Sequence, residues 1–299
     1  MNAAHHTPTS IGMAFLRSPA GVDPFYAEFI GGMEDVLHPR GMQVLMQTLA
    51  TPHDELDTYR RWAANRSVAG VVVSNLTVGD RRGALLAELG VPHVTHGEPE
   101  DGAGGAVVRF DNYTTMVHAV QKLVSLGHRR IGRVSGPEAL IHTQARTAAF
   151  ADAIAAAGAG GATEVGDYTA PSGATGMSAL LALPEPPTAV IFDNDVMAVA
   201  GLGAAQAAGV VVPDELSILA WDDSTRCRLT SPPLSVMSHD VRELGSLAAT
   251  GLLGVIDGEP PTDVTAPLPV YLERGSTAAP AASATGAADP AAPRILDAS

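Results

Sequence analysis

Apolar residues follow two periods that alternate along this chain. Short β-branched runs at Ile11–Leu16, Met42–Gln47, Gly70–Val73, Pro92–Thr95 and Val107–Phe110 have the length and composition of strands. The same type returns at Ile131–Ser135, Ala189–Phe192, Leu216–Ala220 and Ser235–Met237. Helical patterns lie between them. Phe25, Phe29, Met33 and Leu37 recur every fourth residue, and Pro24 behind Asp23 is a helix start. Further helices are predicted over Asp54–Asn65, Asp80–Leu89, Asn112–Leu126, Ile141–Ala157, Ser172–Leu183, Asp195–Ala208 and Val241–Ile256. One of Asp111 and Asn112, and one of Asn194 and Asp195, should cap the helix that follows.

Alternation this dense predicts an α/β protein whose parallel sheets are covered on both faces. At 299 residues the chain exceeds one core, so two lobes with a cleft between them are expected. A second set of strand–helix units begins at Leu126-Gly127-His128, and the last helix is better placed back on the first lobe. The expected division is 10–126 plus 239–262 for the N-terminal lobe and 127–238 plus 263–277 for the C-terminal lobe. Residues 1–9, and the Ala/Pro/Ser/Gly-rich stretch 278–299, are expected to be disordered.

Composition narrows the functions. The apolar fraction is 46% and the charged fraction 17%, which fits a globular chain with a large core. The net charge of -14, with Lys122 the only lysine, repels a phosphate backbone, so this chain alone is a poor DNA binder. The lone Cys227 excludes an internal disulfide and a cysteine-based metal site. No apolar run is long enough to cross a membrane, and the first residues lack the basic and apolar regions of a secretory signal. A cytoplasmic protein without a membrane partner is therefore expected. Phosphate-loop, zinc-protease and serine-hydrolase motifs are missing, which argues against an enzyme. Asp193-Asn194-Asp195 lacks the glycine and distal glutamate of a calcium loop, so no metal and no cofactor are expected.

The run Ser217-Ile218-Leu219-Ala220-Trp221-Asp222-Asp223 is a buried strand that stops on a ring and two carboxylates. In open α/β sheets, ligands sit beyond the carboxyl ends of parallel strands. Asp222 can accept hydrogen bonds from two adjacent hydroxyls, as sugar recognition requires, with Trp221 packed behind it. Asp223 falls on the other side of the pleat and takes a structural role.

Nine segments, in order, resemble the effector-binding core of LacI/GalR-type transcriptional regulators over about residues 10–277. They are Asp23-Pro24-Phe25-Tyr26, Asp111-Asn112, Leu126-Gly127-His128-Arg129-Arg130-Ile131, Arg146 with Phe150, Asn194-Asp195 with Ala198, and Pro213 to Ile218. Asp222-Asp223, Ser231 to Leu234 and Leu272 to Thr277 complete the series. The resemblance implies a type I periplasmic-binding-protein fold: two Rossmann-like lobes joined by three strands, with a ligand between them. It also implies a cytoplasmic homodimer whose DNA affinity changes when a small-molecule effector binds. Such regulators begin with a helix-turn-helix headpiece, whereas the first strand here opens at Ile11. Operator DNA is thus expected to be bound only through a headpiece absent from this chain.

The resemblance also implies roles for particular residues. Arg146 reaches into the cleft as a fork of donors, Asn194 faces the ligand while Asp195 is structural, and Tyr168 stacks on the ligand. Tyr26, Phe25 and Asp23 follow strand one, and Ser74, His142 and His239 complete the rim. A histidine at 239 predicts pH-dependent affinity. With Arg146 and Arg17 the only nearby cations, a neutral sugar is favoured over a phosphorylated one, although nucleosides and purines use the same side chains. The sequence thus predicts a carbohydrate-sensing regulator core. A transporter's solute-binding protein is the alternative, and a glycosidase using Asp222 and Asp195 is disfavoured because both have binding or capping roles.

Overall fold

A computed structural model of the chain describes residues 8–16, 25–99 and 104–281. The order begins β1 (Ser10–Leu16), α1 (Phe25–Leu37), β2 (Gln43–Leu49), α2 (Pro52–Asn65), β3 (Gly70–Val73) and α3 (Arg82–Glu88). It continues β4 (His93–His96), β5 (Ala106–Arg109), α4 (Asn112–Ser125), β6 (Arg130–Ser135), α5 (Ile141–Ala156), β7 (Gly160–Val165) and α6 (Ala170–Leu181). Next come β8 (Ala189–Phe192), α7 (Asp195–Ala207), β9 (Ser217–Trp221), α8 (Thr225–Leu229) and β10 (Ser235–Ser238). The last are α9 (Val241–Ile256), β11 (Asp263–Thr265) and β12 (Val270–Leu272).

Local chemistry sets the helix starts. Thr51 and Asp54 cap each other's backbone around Pro52 at the start of α2, with bonds of 3.2 and 2.9 Å. Asp111 accepts the Thr114 amide at 2.8 Å and Asn194 the Met197 amide at 2.9 Å, so the first residue of each ambiguous pair is the cap.

The strands form two six-stranded sheets, ordered β11-β5-β4-β3-β1-β2 and β12-β10-β9-β8-β6-β7. All pairings are parallel except that of β12 with β10. Interior strands feed opposite cores through alternate residues. Leu219 and Trp221 of β9 join a cluster that also holds Ile11, Phe29, Phe110 and Ile131, so it runs without a break from one lobe to the other. Ile218 and Ala220 face a second cluster with Phe192 and Met197, while Trp62, Val71 and Leu86 form a third behind the first sheet. Helix α9 packs on α1 and against β3, β4 and β5. A Cβ on Gly32 would collide with the Arg242 carbonyl, and one on Gly245 with the Phe29 carbonyl, so α1 and α9 meet backbone to backbone.

Several expectations need correction. Helix α4 packs on α5, with Tyr113 Oη donating to Asp152 Oδ2 at 2.7 Å, so the first crossing precedes α4 and does not follow Leu126. Strand β11 pairs with β5, which keeps residues 263–265 on the first sheet and puts the last crossing after Thr265. Residues 160–165, where no strand was predicted, form the edge strand β7, which is largely solvated and so carries no apolar run. Order also extends past the expected limits. Thr9 O accepts the Gln43 amide at 2.9 Å, and the Ala278 amide donates to Ser217 Oγ at 3.0 Å. Residues 1–7 and 282–299 of the two stretches expected to be disordered lie outside the described residues.

Adding a methyl at the helix crossing tests the packing. Gly245→Ala is expected to cost about 1–3 kcal/mol, read as a lower urea midpoint. An unchanged midpoint would contradict the close approach of α1 and α9.

Candidate functional site

Strands β6, β8 and β9 are neighbours, so the residues that follow them share one edge of the second sheet. Gly136, Asp193 and Asp222 stand there. Arg133, fully buried within β6, donates Nε and Nη2 to the two Asp193 oxygens at 2.8 and 2.6 Å. Its Nη1 donates to Thr147 Oγ1 at 2.8 Å. Burial pushes the Asp193 carboxyl up, but the Arg133 charge and hydrogen bonds outweigh it and hold the group below the usual carboxylate range.

Arg146 extends from α5 over this platform. Its Nη1 donates to the Asp193 carbonyl at 2.9 Å and lies 3.9 Å from that residue's carboxylate. Its Nε donates to Asn112 Oδ1 at 2.8 Å, and its guanidinium carbon sits 3.8 Å from the centre of the Trp221 ring. A desolvated cation–π contact of this kind is worth about 2 kcal/mol. Trp221 therefore supports Arg146 directly, where the sequence placed it behind Asp222.

Tyr168 folds over the end of β6. Its ring occupies the space where a Cβ on Gly136 would project. Its hydroxyl is 2.8 Å from His142 Nε2 and 3.2 Å from Thr143 Oγ1, and the Tyr168 and His142 rings stack at 6.1 Å. Asn194 Oδ1 caps α7, and one Nδ2–H donates to the Tyr168 carbonyl at 3.2 Å. Asp195 is buried beside it, and burial raises its pKa.

Asp222 stands at the mouth of β9 with a left-handed backbone, φ 71°, as has Tyr168 at φ 67°. Such backbone is strained for residues other than glycine, costs on the order of 1–3 kcal/mol, and concentrates at ligand sites. The Asp222 carboxylate is 3.2 Å from His239 Nε2 and its side chain is 19% exposed, the more open partner of the pair. Asp223 turns away to Arg274, whose Nη2 donates to it at 2.7 Å, as the pleat predicts. Aromatic groups fill in behind. Phe25 stacks on His96 at 5.8 Å and meets His239 edge-on at 6.0 Å, while Phe110 lies 4.8 Å from His239. Tyr26 Oη is 3.0 Å from Ser74 Oγ.

The lobes touch at the rim: the Ile141 amide donates to the Leu76 carbonyl at 2.9 Å, and Thr77 pairs with Leu140. The structure thus brings Arg146, Trp221, Asp222 and His239 together, with Tyr168 and His142 beside them and Phe25, Tyr26 and Ser74 from the first lobe. Asp23 and Arg17 lie outside the described residues. Sequence reasoning missed Asn112 and Asp193 as partners of Arg146, and also His96, Phe110 and Arg133. Arg133 had left a signal, a charge flanked by Gly132 and Val134 in a strand of interior composition.

The chemistry on offer is recognition: a donor fork, a carboxylate, hydroxyls, imidazoles and ring faces. Among the described residues, no group of three or more His, Cys, Asp or Glu is placed to hold a metal ion, and no helix is long and apolar enough to cross a membrane.

Comparison with known proteins gives a consistent picture. Residues 120–277 match the model of the periplasmic binding protein-like domain. The transcriptional regulator CelR of Thermobifida fusca is 31% identical over 84% of this chain and 74% of its own length. The repressor CytR of Escherichia coli is 31% identical over 79% and 70%. A LacI family regulator from Bifidobacterium animalis superposes with a TM-score of 0.84 at 33% identity, covering 92% of this chain and 99% of that one. The CelR–cellobiose complex superposes at 0.81 with 28% identity, over 90% and 84%.

The site's imidazoles link stability to pH. Burial, helped by Arg146, pushes His142 down to about 3, and burial with His239 nearby pushes His96 down to about 4, from an ordinary 6.5. Below 6.5 the unfolded chain takes up protons that the folded chain refuses. Stability is therefore complete above pH 6.5 and is lost as pH falls through the folded values. Replacing both histidines by glutamine should flatten the fall in melting temperature between pH 6.5 and 4, and an unchanged slope would contradict this account.

Proposed function

Because the chain belongs to the LacI family of transcriptional regulators, we propose that its interlobe cleft senses a neutral carbohydrate and relays its presence to a DNA-reading headpiece. One observation carries this reading: the Arg146 donor fork and the more open Asp222 carboxylate share a cleft lined by aromatic faces. Neighbouring sugar hydroxyls donate and accept, so a fork and a carboxylate satisfy them together. Each bond to a charged group contributes about 1.5–3 kcal/mol. The faces of Tyr168 and Phe25 suit the C–H faces of a pyranose ring. Arg146 and Asp222 balance in charge, which favours a neutral sugar over a phosphorylated one. The binding of cellobiose by CelR supports an effector of saccharide type.

Binding between the lobes stabilises one of their arrangements and shifts an equilibrium that the headpiece reads. The core acts as a binder in the cytoplasm, without turnover. The relatives are regulators, which favours this over a transporter's solute-binding protein. A homodimer is the working form. Leu229 is 80% exposed and the edge strands β2 and β7 expose Leu45, Met46 and Val165, apolar surface that a second copy would cover.

A thermal-shift panel of neutral mono- and disaccharides tests the reading. A sugar at 100 times its dissociation constant should add about 2.7 kcal/mol of stability. Arg146→Ala and Asp222→Asn should each weaken its binding by about tenfold or more. A panel without any shift, or hydrolysis of the bound sugar, would overturn the proposal. Sedimentation should give a dimer at micromolar concentration; a monomer would remove the dimer from the account.

A further inference from the structure

Arg133 and Asp193 have fully buried side chains. Such a pair seldom stabilises a fold more than apolar side chains of the same volume would. Its neighbours along one face of β6 are Ile131 and Ser135, and an aliphatic side chain suits a site between them. The function of the pair therefore lies in what it holds in place.

Asp193 is the nearest anion to Arg146, at 3.9 Å, yet Arg146 bonds only to its backbone carbonyl. The reason is occupancy. Arg133 fills both carboxylate oxygens at 2.8 and 2.6 Å, and the Gly136 amide adds a third donor at 3.3 Å. Without Arg133, Asp193 would be a buried carboxylate one side-chain rotation from an arginine, and a bidentate pair between them would form. Arg146 would then leave the Trp221 ring. Its Nη2, which has no hydrogen-bond partner among the described residues, would be drawn to Asp193 and lost to an effector.

We propose that Arg133 is a positioning residue for the effector site: by saturating Asp193 it prevents that carboxylate from capturing Arg146, which stays flat on Trp221 with a donor edge for the effector. The inference rests on the carbohydrate reading for the identity of the ligand, but not for the geometry of Arg146.

The test uses Trp221 as the reporter in a Trp62→Phe background, since the chain has two tryptophans. Arg133→Met should shift Trp221 emission in the ligand-free protein as Arg146→Ala does. It should also weaken binding of cellobiose, the probe sugar, by tenfold or more, although Arg133 touches no effector. Adding Asp193→Asn to Arg133→Met removes the competing carboxylate and should restore both signals. A folded Arg133→Met protein with unchanged emission overturns the proposal. So does a folded double variant that fails to recover emission, because a merely structural role predicts no rescue. Should Arg133→Met not fold, Arg133→Lys keeps the charge but cannot grip both oxygens. An intermediate emission shift then supports the proposal and wild-type emission overturns it. Emission that behaves as expected in a wild-type chain that does not bind cellobiose leaves the positioning role standing and counts against cellobiose alone.

Discussion

The cleft depends on how one buried aspartate is divided between two guanidinium groups. Asp193 gives its side-chain oxygens to Arg133 and its carbonyl to Arg146. The first contact neutralises a charge that the core could not otherwise hold. The second sets the height and tilt of the arginine above Trp221. From there the constraint spreads along α5, which carries Arg146, His142 and Thr143, and through Thr143 and His142 to the Tyr168 hydroxyl. The side chains of the proposed effector site are thereby fixed before any ligand arrives, which lowers the ordering cost of binding.

The fold explains why these side chains face a cleft. Parallel strands end together, so β6, β8 and β9 deliver Gly136, Asp193 and Asp222 to one edge. The apolar cluster shared by both lobes passes beneath through Phe110, Trp221 and Met237. That continuity couples the lobes: under the proposed reading, a ligand pressing on Arg146 and Trp221 acts on the same packed core that carries the first lobe. Small movements there favour discrete rearrangement over gradual give, because close-packed interiors deform poorly. Such a coupling suits a sensor better than a catalyst.

Much of this was legible in the sequence wherever burial was complete. Strand Ala189–Phe192 was expected and found with the same ends, because a strand covered on both faces writes an unbroken apolar run. Edge strand β7 was not, since Gly160-Gly161-Ala162-Thr163 is solvated and resembles a loop. The crossings were misplaced by one element at α4, because a helix's periodicity says which face is buried but not against which sheet. In the site, Trp221 and Asp222 stood out where an apolar run stopped. Asn194 was legible as polar and near the cleft, but cap and ligand roles differ only by a rotamer. Arg133 was hidden because a strand reading averages over its residues, and its meaning required knowing that Asp193 lies opposite, 60 positions away.

The most direct measurement is a crystal structure of the chain with the neutral sugar that stabilises it most. The sugar should lie between the lobes, its hydroxyls bonded to Arg146 and Asp222, with Arg133 still paired to Asp193. A sugar bound elsewhere, or one in the cleft that leaves Arg146 and Asp222 untouched, would contradict this account.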